Sequence, residues 1–221
     1  FLSYLGNHMK KHVIAVITGD IVDSRSLSSA HYDELLKQLK NELTTFEASN
    51  KATFDIYRGD SFQITFFCPW EALKAAILIR LRLKSNNYKI DVRQSIAIGN
   101  VKDLREDVKT STGQAFILSG KHLDEMKSHR LVFSSENKLL NRHIPIVVKL
   151  LDTHLSSLTP MQAEALYLYL LDDSQTHAEL ANKLGKSRAN TTKILNSSEY
   201  LLVADSIQYF ETLVHEELNH D

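Results

Sequence analysis

The sequence predicts an α+β protein in which a sheet-forming part is followed by an all-helical part. Strand and helix patterns alternate in the order β-α-β-β-α-β-α-β as far as residue 135, and the strand pattern stops past residue 136. A split β-α-β arrangement of this kind forms an antiparallel sheet with helices on one face, and the other face stays open unless another element covers it. We therefore expect a sheet domain at 9–136, a connecting helix at 137–155 and a helical domain at 156–221.

The first four elements follow from residue patterns. The run HVIAVITGDIV at residues 12–22 is rich in β-branched residues, which is typical of a strand buried on both faces. Either Ser28 or Ser29 can cap the next segment, whose apolar residues repeat at helical spacing to about Asn50. Two alternating segments then flank Gly59, and this pattern predicts a β-hairpin.

The next elements are a helix, a strand, a helix and a strand. Proline is tolerated in the first turn of a helix, so Pro69 opens a helix that runs to about Lys84. Alternating apolar residues at 90–98 predict a strand that breaks at Gly99. A helical segment follows from about 113 to 127, and residues 130–134 predict another strand.

Composition and charge exclude several classes of protein. With seven glycines and three prolines in 221 residues, the chain is neither collagen-like nor disordered. The lone Cys68 can form neither an internal disulfide nor a zinc site, which favours a reducing, cytoplasmic location. No apolar run reaches the roughly 18 residues of a membrane span. Residues 1–8, which precede Met9, are expected to be the remnant of a tag.

The net charge of −1 hides an asymmetry between the two parts. Residues 1–155 carry 22 basic and 17 acidic side chains, a net charge of +5, whereas residues 156–221 carry 4 and 10, a net charge of −6. The sheet part is therefore the better candidate for a partner that carries phosphate.

Two aspartates stand where predicted strands turn. Asp20 follows Gly19 at the end of the first strand, and Asp60 follows Gly59 in the hairpin. In a split β-α-β fold the first strand lies beside the hairpin, so both carboxylates can point at one position. Mg²⁺ prefers one or two carboxylates together with substrate phosphates, and two metals can assist an in-line displacement at phosphorus. The adjacent glycines would let a triphosphate approach the backbone closely.

Four segments carry a resemblance to known families: Thr18–Arg25 (TGDIVDSR), Tyr57–Gln63 (YRGDSFQ), Arg93–Gly99 (RQSIAIG) and Gly113–Phe116 (GQAF). Over residues 12–135 they resemble the successive signatures of class III nucleotide cyclases and the related GGDEF palm domains. The whole chain resembles the SatD family of bacterial proteins. The resemblance implies a ferredoxin-like palm domain, nucleoside triphosphate as ligand and Mg²⁺ or Mn²⁺ as cofactor.

The resemblance also implies roles for individual residues. Asp20 and Asp60 would bind the metal ions, with the carbonyl of Ile21 as a further ligand, and they would be the catalytic residues of an active enzyme. The candidates for nucleotide or phosphate binding are Gly19, Arg25, Arg58, Gly59, Ser61 and Arg93. Ser61 replaces the glutamate of the GGDEF turn, and the segment after Gly113 lacks the asparagine and arginine that supply transition-state groups in cyclases. Metal and triphosphate binding is therefore expected more than turnover.

Residues 176–195 (THAELANKLGKSRANTTKIL) fit a helix-turn-helix with its turn at Gly185. Leu180, Leu184 and Ile194 would pack inward. The surrounding segment 158–202 resembles region four of bacterial sigma factors. The outward residues expected to contact DNA are Lys186, Ser187, Arg188, Asn190, Thr191 and Lys193, with Ser187 also capping the second helix.

Three functions remain open on the sequence. The leading one is a regulatory protein that binds a nucleoside triphosphate with Mg²⁺ in the palm domain and DNA through the helix-turn-helix. The second is an active nucleotidyl cyclase or oligonucleotide synthase, and the third is a non-catalytic protein-interaction scaffold. A final helix, capped by Asp205 or Ser206, is expected to pack against the rest of the chain, and its apolar stripe leaves a homodimer possible.

Overall fold

The computed structural model describes residues 13–49, 52–57, 59–86, 88, 90–103, 112–172 and 174–219. The strands are β1 (Val13–Val22), β2 (Ala52–Tyr57), β3 (Ser61–Phe66), β4 (Asp91–Asp103), β5 (Thr112–Gly113) and β6 (Leu131–Ser135). The helices are α1 (Ser29–Ala48), α2 (Ala72–Lys84), α3 (Gln114–Glu125), α4 (Lys138–Ser157), α5 (Pro160–Leu171), α6 (His177–Leu184), α7 (Arg188–Ser197) and α8 (Tyr200–Asn219). Short 3-10 helices occur at Ser24–Ser26 and Pro69–Glu71. The expected tag remnant, residues 1–8, lies outside the described residues.

The strands form one sheet in the order β2-β3-β1-β4, and both β5 and β6 pair with β4. The hairpin strands and the pairs β1–β3 and β1–β4 are antiparallel, as the pattern predicts. However, β6 runs parallel to β4, so the sheet is mixed rather than purely antiparallel. Within the described residues, no helix is long and apolar enough to cross a membrane.

Helices lie on both faces of the sheet. Helices α1 and α2 cover the face that carries Ile17, and their apolar side chains form the main core with it. Helix α3 packs on the opposite face, which the sequence left open, because Ile14 and Val16 form a small cluster there with Ala115. The continuous apolar run of β1 is thus explained, since both of its faces are covered.

Helix starts are marked by side-chain caps. Ser28 accepts a hydrogen bond from the backbone of α1, so the first of the two expected caps is the one used. Thr159 and Thr176 form capping boxes at the starts of α5 and α6. The expected cap of the last helix at Asp205 or Ser206 is wrong, because α8 begins at Tyr200. Ser206 lies inside α8, where its hydroxyl donates to the carbonyl of Leu202, four residues earlier.

The helices after α4 pack on the helices of the sheet part. Residues of α5 and α8 belong to the same hydrophobic cluster as the sheet core, which extends from Ala15 to Val214. Tyr167 of α5 donates a hydrogen bond of 2.5 Å to buried Glu42 of α1. The division of the chain at residue 156 stays a prediction, and across that position the packing is continuous.

A fully buried arginine, Arg80, joins α2, β4 and α4. Arg80 of α2 forms two hydrogen bonds of 2.8 Å with the carboxylate of Asp91 and one of 2.7 Å with Asp152 of α4. It also donates to the hydroxyl of Ser156 at 2.8 Å. Every nitrogen of the guanidinium therefore has a partner, which a charge at this depth requires.

Candidate functional site

The two predicted metal-binding aspartates lie on neighbouring strands. Asp20 of β1 stands directly opposite Ser61 in the β1–β3 register, and Asp60 precedes Ser61 in the hairpin turn. The backbone nitrogen of Ile21 donates a hydrogen bond of 3.0 Å to the carbonyl oxygen of Asp60. The hairpin turn is therefore attached to the end of β1, and this attachment brings the two aspartates to one edge of the sheet.

The carboxylate of Asp20 is held by Arg93. The two residues are register partners in the β1–β4 ladder, and the guanidinium of Arg93 donates from Nε at 2.8 Å and from Nη2. The hydrogen bond with Asp20 raises the pKa of Arg93 further above its usual value. Arg93, which we expected to contact phosphate, neutralises Asp20 in this conformation.

Asp60 is held by a different residue. Ser24 donates a hydrogen bond of 2.6 Å from its hydroxyl to Oδ2 of Asp60. Ser24 is buried, and the sequence did not single it out. Its position two residues after the end of β1 is the one signal that could have identified it.

The glycine of the hairpin turn is required by its backbone and by a neighbour. Gly59 has φ = 84°, a conformation that costs about 1–2 kcal/mol for other residues. A methyl group on it would lie 2.6 Å from the hydroxyl oxygen of Tyr32. Burial raises the pKa of Tyr32, and the nearby charges of Asp60 and Asp33 raise it further. Tyr32, also missed by the sequence reading, therefore covers the turn as a protonated phenol.

A pocket of about 340 Å³ opens between this turn and the start of α1. Its walls are formed by Ser24, Arg25, Leu27, Ser29, Tyr32 and Asp60. Arg25 is exposed, and the first turn of α1 brings backbone N–H groups that have no intrahelical acceptor. A helix N-terminus beside an arginine attracts an anion.

Two other predicted phosphate-binding residues have a different setting, and one is not described. Gly19 faces the core, where an added methyl group would lie 2.6 Å from the ring of Phe62 and 2.8 Å from the carbonyl oxygen of Arg93. Close packing therefore explains this glycine without any ligand. Ser61 is half-buried next to Asp60. Arg58 lies outside the described residues.

The chemistry of these side chains fits a magnesium ion that carries phosphate. Within the described residues, no three His, Cys, Asp or Glu side chains converge as a complete metal site. Asp20 and Asp60 supply two carboxylates, and the carbonyl of Ile21 is adjacent in sequence. Mg²⁺ in phosphate-binding sites needs only one or two carboxylates from the protein. The residues present include donors of the kind such an ion needs, and in this structure Asp20 pairs with Arg93 and Asp60 accepts from Ser24.

Helices α6 and α7 form a compact pair joined by a tight turn. Gly185 ends α6 in the left-handed conformation, with φ = 63°, and Ser187 caps α7 by accepting a hydrogen bond from the backbone of Asn190. The exposed residues on this side are Lys186, Ser187, Arg188, Asn190 and Lys193. Thr191 was expected to face outward as well, but it is fully buried because it lies on the inner side of α7.

The pair is anchored by a small core of its own. Leu180 of α6 and Leu195 of α7 are fully buried against Ala165 of α5. Ile194, which we expected to anchor α7, is only half-buried. Ile194 still packs against this cluster, so it contributes to anchoring α7 beside the fully buried Leu195.

Comparisons with known proteins give similarity in solved structures alone. No family model matches the sequence, and no curated protein matches it. The chain is similar to the adenylyl cyclase CyaB from P. aeruginosa, with 17% identity and a TM-score of 0.41 over 55% of this chain and 76% of that chain. A bacterial light-regulated adenylyl cyclase has 16% identity and a TM-score of 0.40, covering 55% of this chain and 75% of that chain. The guanylyl cyclase Cya2 has 12% identity and a TM-score of 0.40, covering 55% and 74%.

Proposed function

We propose that the sheet part of this chain binds a nucleoside triphosphate with Mg²⁺ or Mn²⁺, and that the helix pair α6–α7 binds DNA. The chain would then be a regulatory protein of the cytoplasm, the role that the resemblance to the SatD family implies. The observation that carries the proposal is the pocket between the start of α1 and Asp60, with Arg25 on its wall.

The pocket offers a triphosphate what it needs. The N–H groups of the first turn of α1 that have no intrahelical acceptor, together with the guanidinium of Arg25, favour phosphate oxygens. Asp60 and Asp20 would hold the metal ion that neutralises the triphosphate, and the bound ion would supply charge stabilisation. The side chain of Arg93 is then free to leave Asp20, because the metal replaces its positive charge beside the carboxylate.

Binding is favoured over turnover. A cyclase or an oligonucleotide synthase must stabilise charge that develops at the α-phosphate, which takes donors aimed at that position. The segment after Gly113 supplies Gln114, Ser119 and Gly120 in the region where cyclases have asparagine and arginine. Ser119 is buried and lies 2.8 Å from the hydroxyl of Thr18, so it serves the packing of α3 on the sheet.

The exposed residues of the helix pair are the observation that favours the proposal of DNA binding. Arg188 and Lys193 lie on the exposed side of α7, and Lys186 precedes the cap. Between Ser174 and Ser198 the chain has four basic side chains and one acidic one, within a part whose net charge is −6. The positive charge is thus concentrated on the helix pair, and two of its four basic side chains, Arg188 and Lys193, lie on the helix that would enter a major groove.

Continuous packing offers a route by which the two activities could affect each other. Helix α5 contacts α1 through Tyr167 and Glu42, and it contacts the helix pair through Ala165 and Leu195. Helix α1 in turn forms a wall of the pocket through Ser29 and Tyr32. A triphosphate that moves the first turn of α1 would therefore shift α5 against α1, and with it the position of α7.

Calorimetric titration of the full chain with a non-hydrolysable ATP or GTP analogue and Mg²⁺ tests the nucleotide site. Arg25→Ala should weaken binding about tenfold, and Asp60→Asn should remove its dependence on Mg²⁺. Lys193→Ala, on the other proposed site, is the matched control and should bind as the wild type does. If Arg25→Ala and Asp60→Asn both bind like the wild type, the site is wrong. Pyrophosphate release by the wild type but not by Asp60→Asn would favour the enzyme instead.

DNA binding is tested by fluorescence anisotropy with a labelled duplex at several salt concentrations. An Arg188→Ala, Lys193→Ala double variant should bind more weakly, and the slope of log K against log salt should fall by about 2. The Lys37→Ala, Lys40→Ala variant, which removes two exposed lysines from α1, changes the net charge by the same amount and should change neither quantity. An unchanged slope in the double variant would exclude α7 as the contact surface.

A further inference from the structure

Helices α4 and α8 lie side by side and run in opposite directions. Nε2 of His154, near the end of α4, donates to the carbonyl of Ser198 just before α8 at 2.9 Å. At the other end, Asn137 donates to the carboxylate of Glu217 at 3.1 Å. These two contacts fix which residues of α4 and α8 lie at the same height along the helix axes.

The outer surface of this helix pair is apolar. Leu139, Ile146 and Leu150 share one side of α4, with side chains 39%, 58% and 65% exposed. Leu202 and Tyr209 share one side of α8, seven residues apart, and are 55% and 44% exposed. We call these five residues the α4–α8 patch. Most of the large apolar side chains that are exposed in the described part of the chain belong to it.

Charged residues of opposite sign flank the patch. On α4 they are Lys138, Arg142 and Lys149, all basic and exposed. On α8 they are Asp205 and Glu216, both acidic and exposed. The surface is therefore apolar in its middle, positive along one helix and negative along the other.

We propose that the α4–α8 patch is the interface of a two-fold symmetric dimer of this chain, in which α4 of one copy packs on α8 of its partner. A patch that is apolar in the middle and flanked by opposite charges on its two helices is complementary to itself under rotation. If the two-fold axis runs along the helices, each basic flank meets an acidic flank. If the axis runs across them, α4 meets α4 and the basic flanks repel each other.

The heights of the flanking charged residues along the helix axes agree with this arrangement. Lys138 is one residue from Asn137 and Glu216 is one residue from Glu217, so the two lie at the same height. Lys149 is five residues before His154 and Asp205 is seven after Ser198, a difference of about 3 Å at the helical rise of 1.5 Å per residue. Rotation about an axis along the helices keeps each height, so Lys149 of one copy comes to Asp205 of its partner.

The area is sufficient for a specific interface. A helix of 20 residues is about 30 Å long, and two neighbouring helices are about 20 Å wide. The face then covers about 600 Å² on each copy, or about 1,200 Å² in total, which lies at the lower end of specific protein interfaces. A micromolar dimer is expected for an interface of this size.

Light scattering coupled to size-exclusion chromatography tests the proposal on the full chain. The wild type should have twice its monomer mass of 25.2 kDa at concentrations of about 50 µM. The Ile146→Glu, Leu150→Glu variant should have the monomer mass, whereas Ile117→Glu, which places a charge on an equally exposed apolar residue of α3, should stay dimeric. A monomeric wild type, or a dimeric Ile146→Glu, Leu150→Glu variant, overturns the proposal.

A charge exchange tests the arrangement and does not place a charge in the apolar middle. Lys149→Glu should raise the dissociation constant about tenfold, and so should Asp205→Lys, whereas the double variant should return to near the wild-type value. Recovery in the double variant is expected only if these residues meet across the two copies. If the dissociation constant of the double variant rises by the product of the two single-variant increases, α4 does not pack on α8 of the partner.

Discussion

Arg93 holds Asp20 by two hydrogen bonds across adjacent strands, so the guanidinium occupies the carboxylate that a metal ion would use. The side chain of Arg93 is about one-third exposed, and that of Asp20 is about one-quarter exposed. A cation that binds Asp20 therefore competes with Arg93, and the strength of that competition can be measured.

Arg93→Gln should increase the affinity for Mn²⁺ in the absence of nucleotide several-fold. Glutamine cannot neutralise Asp20, so the carboxylate gains more from a bound cation. The free energy of unfolding should fall by no more than about 1 kcal/mol, because the pair is partly exposed. Calorimetric titration with Mn²⁺ measures the affinity, with Arg142→Gln as the control, and a weaker affinity in Arg93→Gln would contradict the competition.

Arg80→Ala should lower the free energy of unfolding by about 3–5 kcal/mol, since it removes the buried guanidinium that pairs with both Asp152 and Asp91. Arg82→Ala, two residues along the same helix, removes an arginine whose side chain is 40% exposed and should cost under about 1 kcal/mol. Urea unfolding followed by circular dichroism compares the two. Equal losses would show that the buried network does not hold α2 against α4.

Gly59→Ala should lower the free energy of unfolding by about 2 kcal/mol, from the positive φ and from the contact with Tyr32. In a Tyr32→Phe background the hydroxyl is gone and the next ring atom is 3.9 Å from the new methyl group. The loss should then fall to about 1 kcal/mol, the cost of the backbone alone. A double-mutant cycle by thermal unfolding measures the difference, and purely additive effects would refute the contact.

Glu42→Gln should become increasingly stable relative to the wild type as pH rises from about 4 to 7. Burial raises the pKa of Glu42 above its usual 4.5, and the hydrogen bond from Tyr167 and the charge of Arg82 only partly oppose that rise. The stability contributed by this group is therefore complete below pH 4.5 and is lost as pH rises through the folded-state pKa. Glutamine keeps the acceptor oxygen but does not ionise.

Urea unfolding at several pH values measures this difference. Glu47→Gln changes an exposed glutamate of the same helix and should follow the wild type at every pH. A constant difference between Glu42→Gln and the wild type would mean that Glu42 titrates as it does in the unfolded chain.

Much of the fold could be predicted because its strands and helices have distinct periods. The β-branched run of β1, the cap at Ser28 and the turns at Gly59 and Gly185 are local signals, and the structure has each of them. Tertiary packing decided the rest. The parallel pairing of β6 and the position of α3 on the second face depend on contacts between residues far apart in sequence, which no local pattern encodes.

The residues at the site show the same limit. The sequence identified Asp20 and Asp60, but the pairing of Asp20 with Arg93 depends on the register of β1 against β4. Arg80 occupies a position in the apolar repeat of α2, and this position was the signal that its side chain would be buried. Thr191 was expected on the outer side of α7 but lies on its inner side with Leu195, four residues later, because both face the cluster around Ala165 of α5.

The hydrophobic cluster shared by β1 and α8 bears on how the chain folds as it leaves the ribosome. Phe210 of α8 packs edge-on against Phe133 of β6 at 5.8 Å, and Ile17 lies in the same cluster. When the sheet has been synthesised but α8 is still in the exit tunnel, that apolar surface has no cover. We expect nascent chains that stop short of α8 to bind chaperones and to be degraded rapidly, whatever the state of the nucleotide pocket.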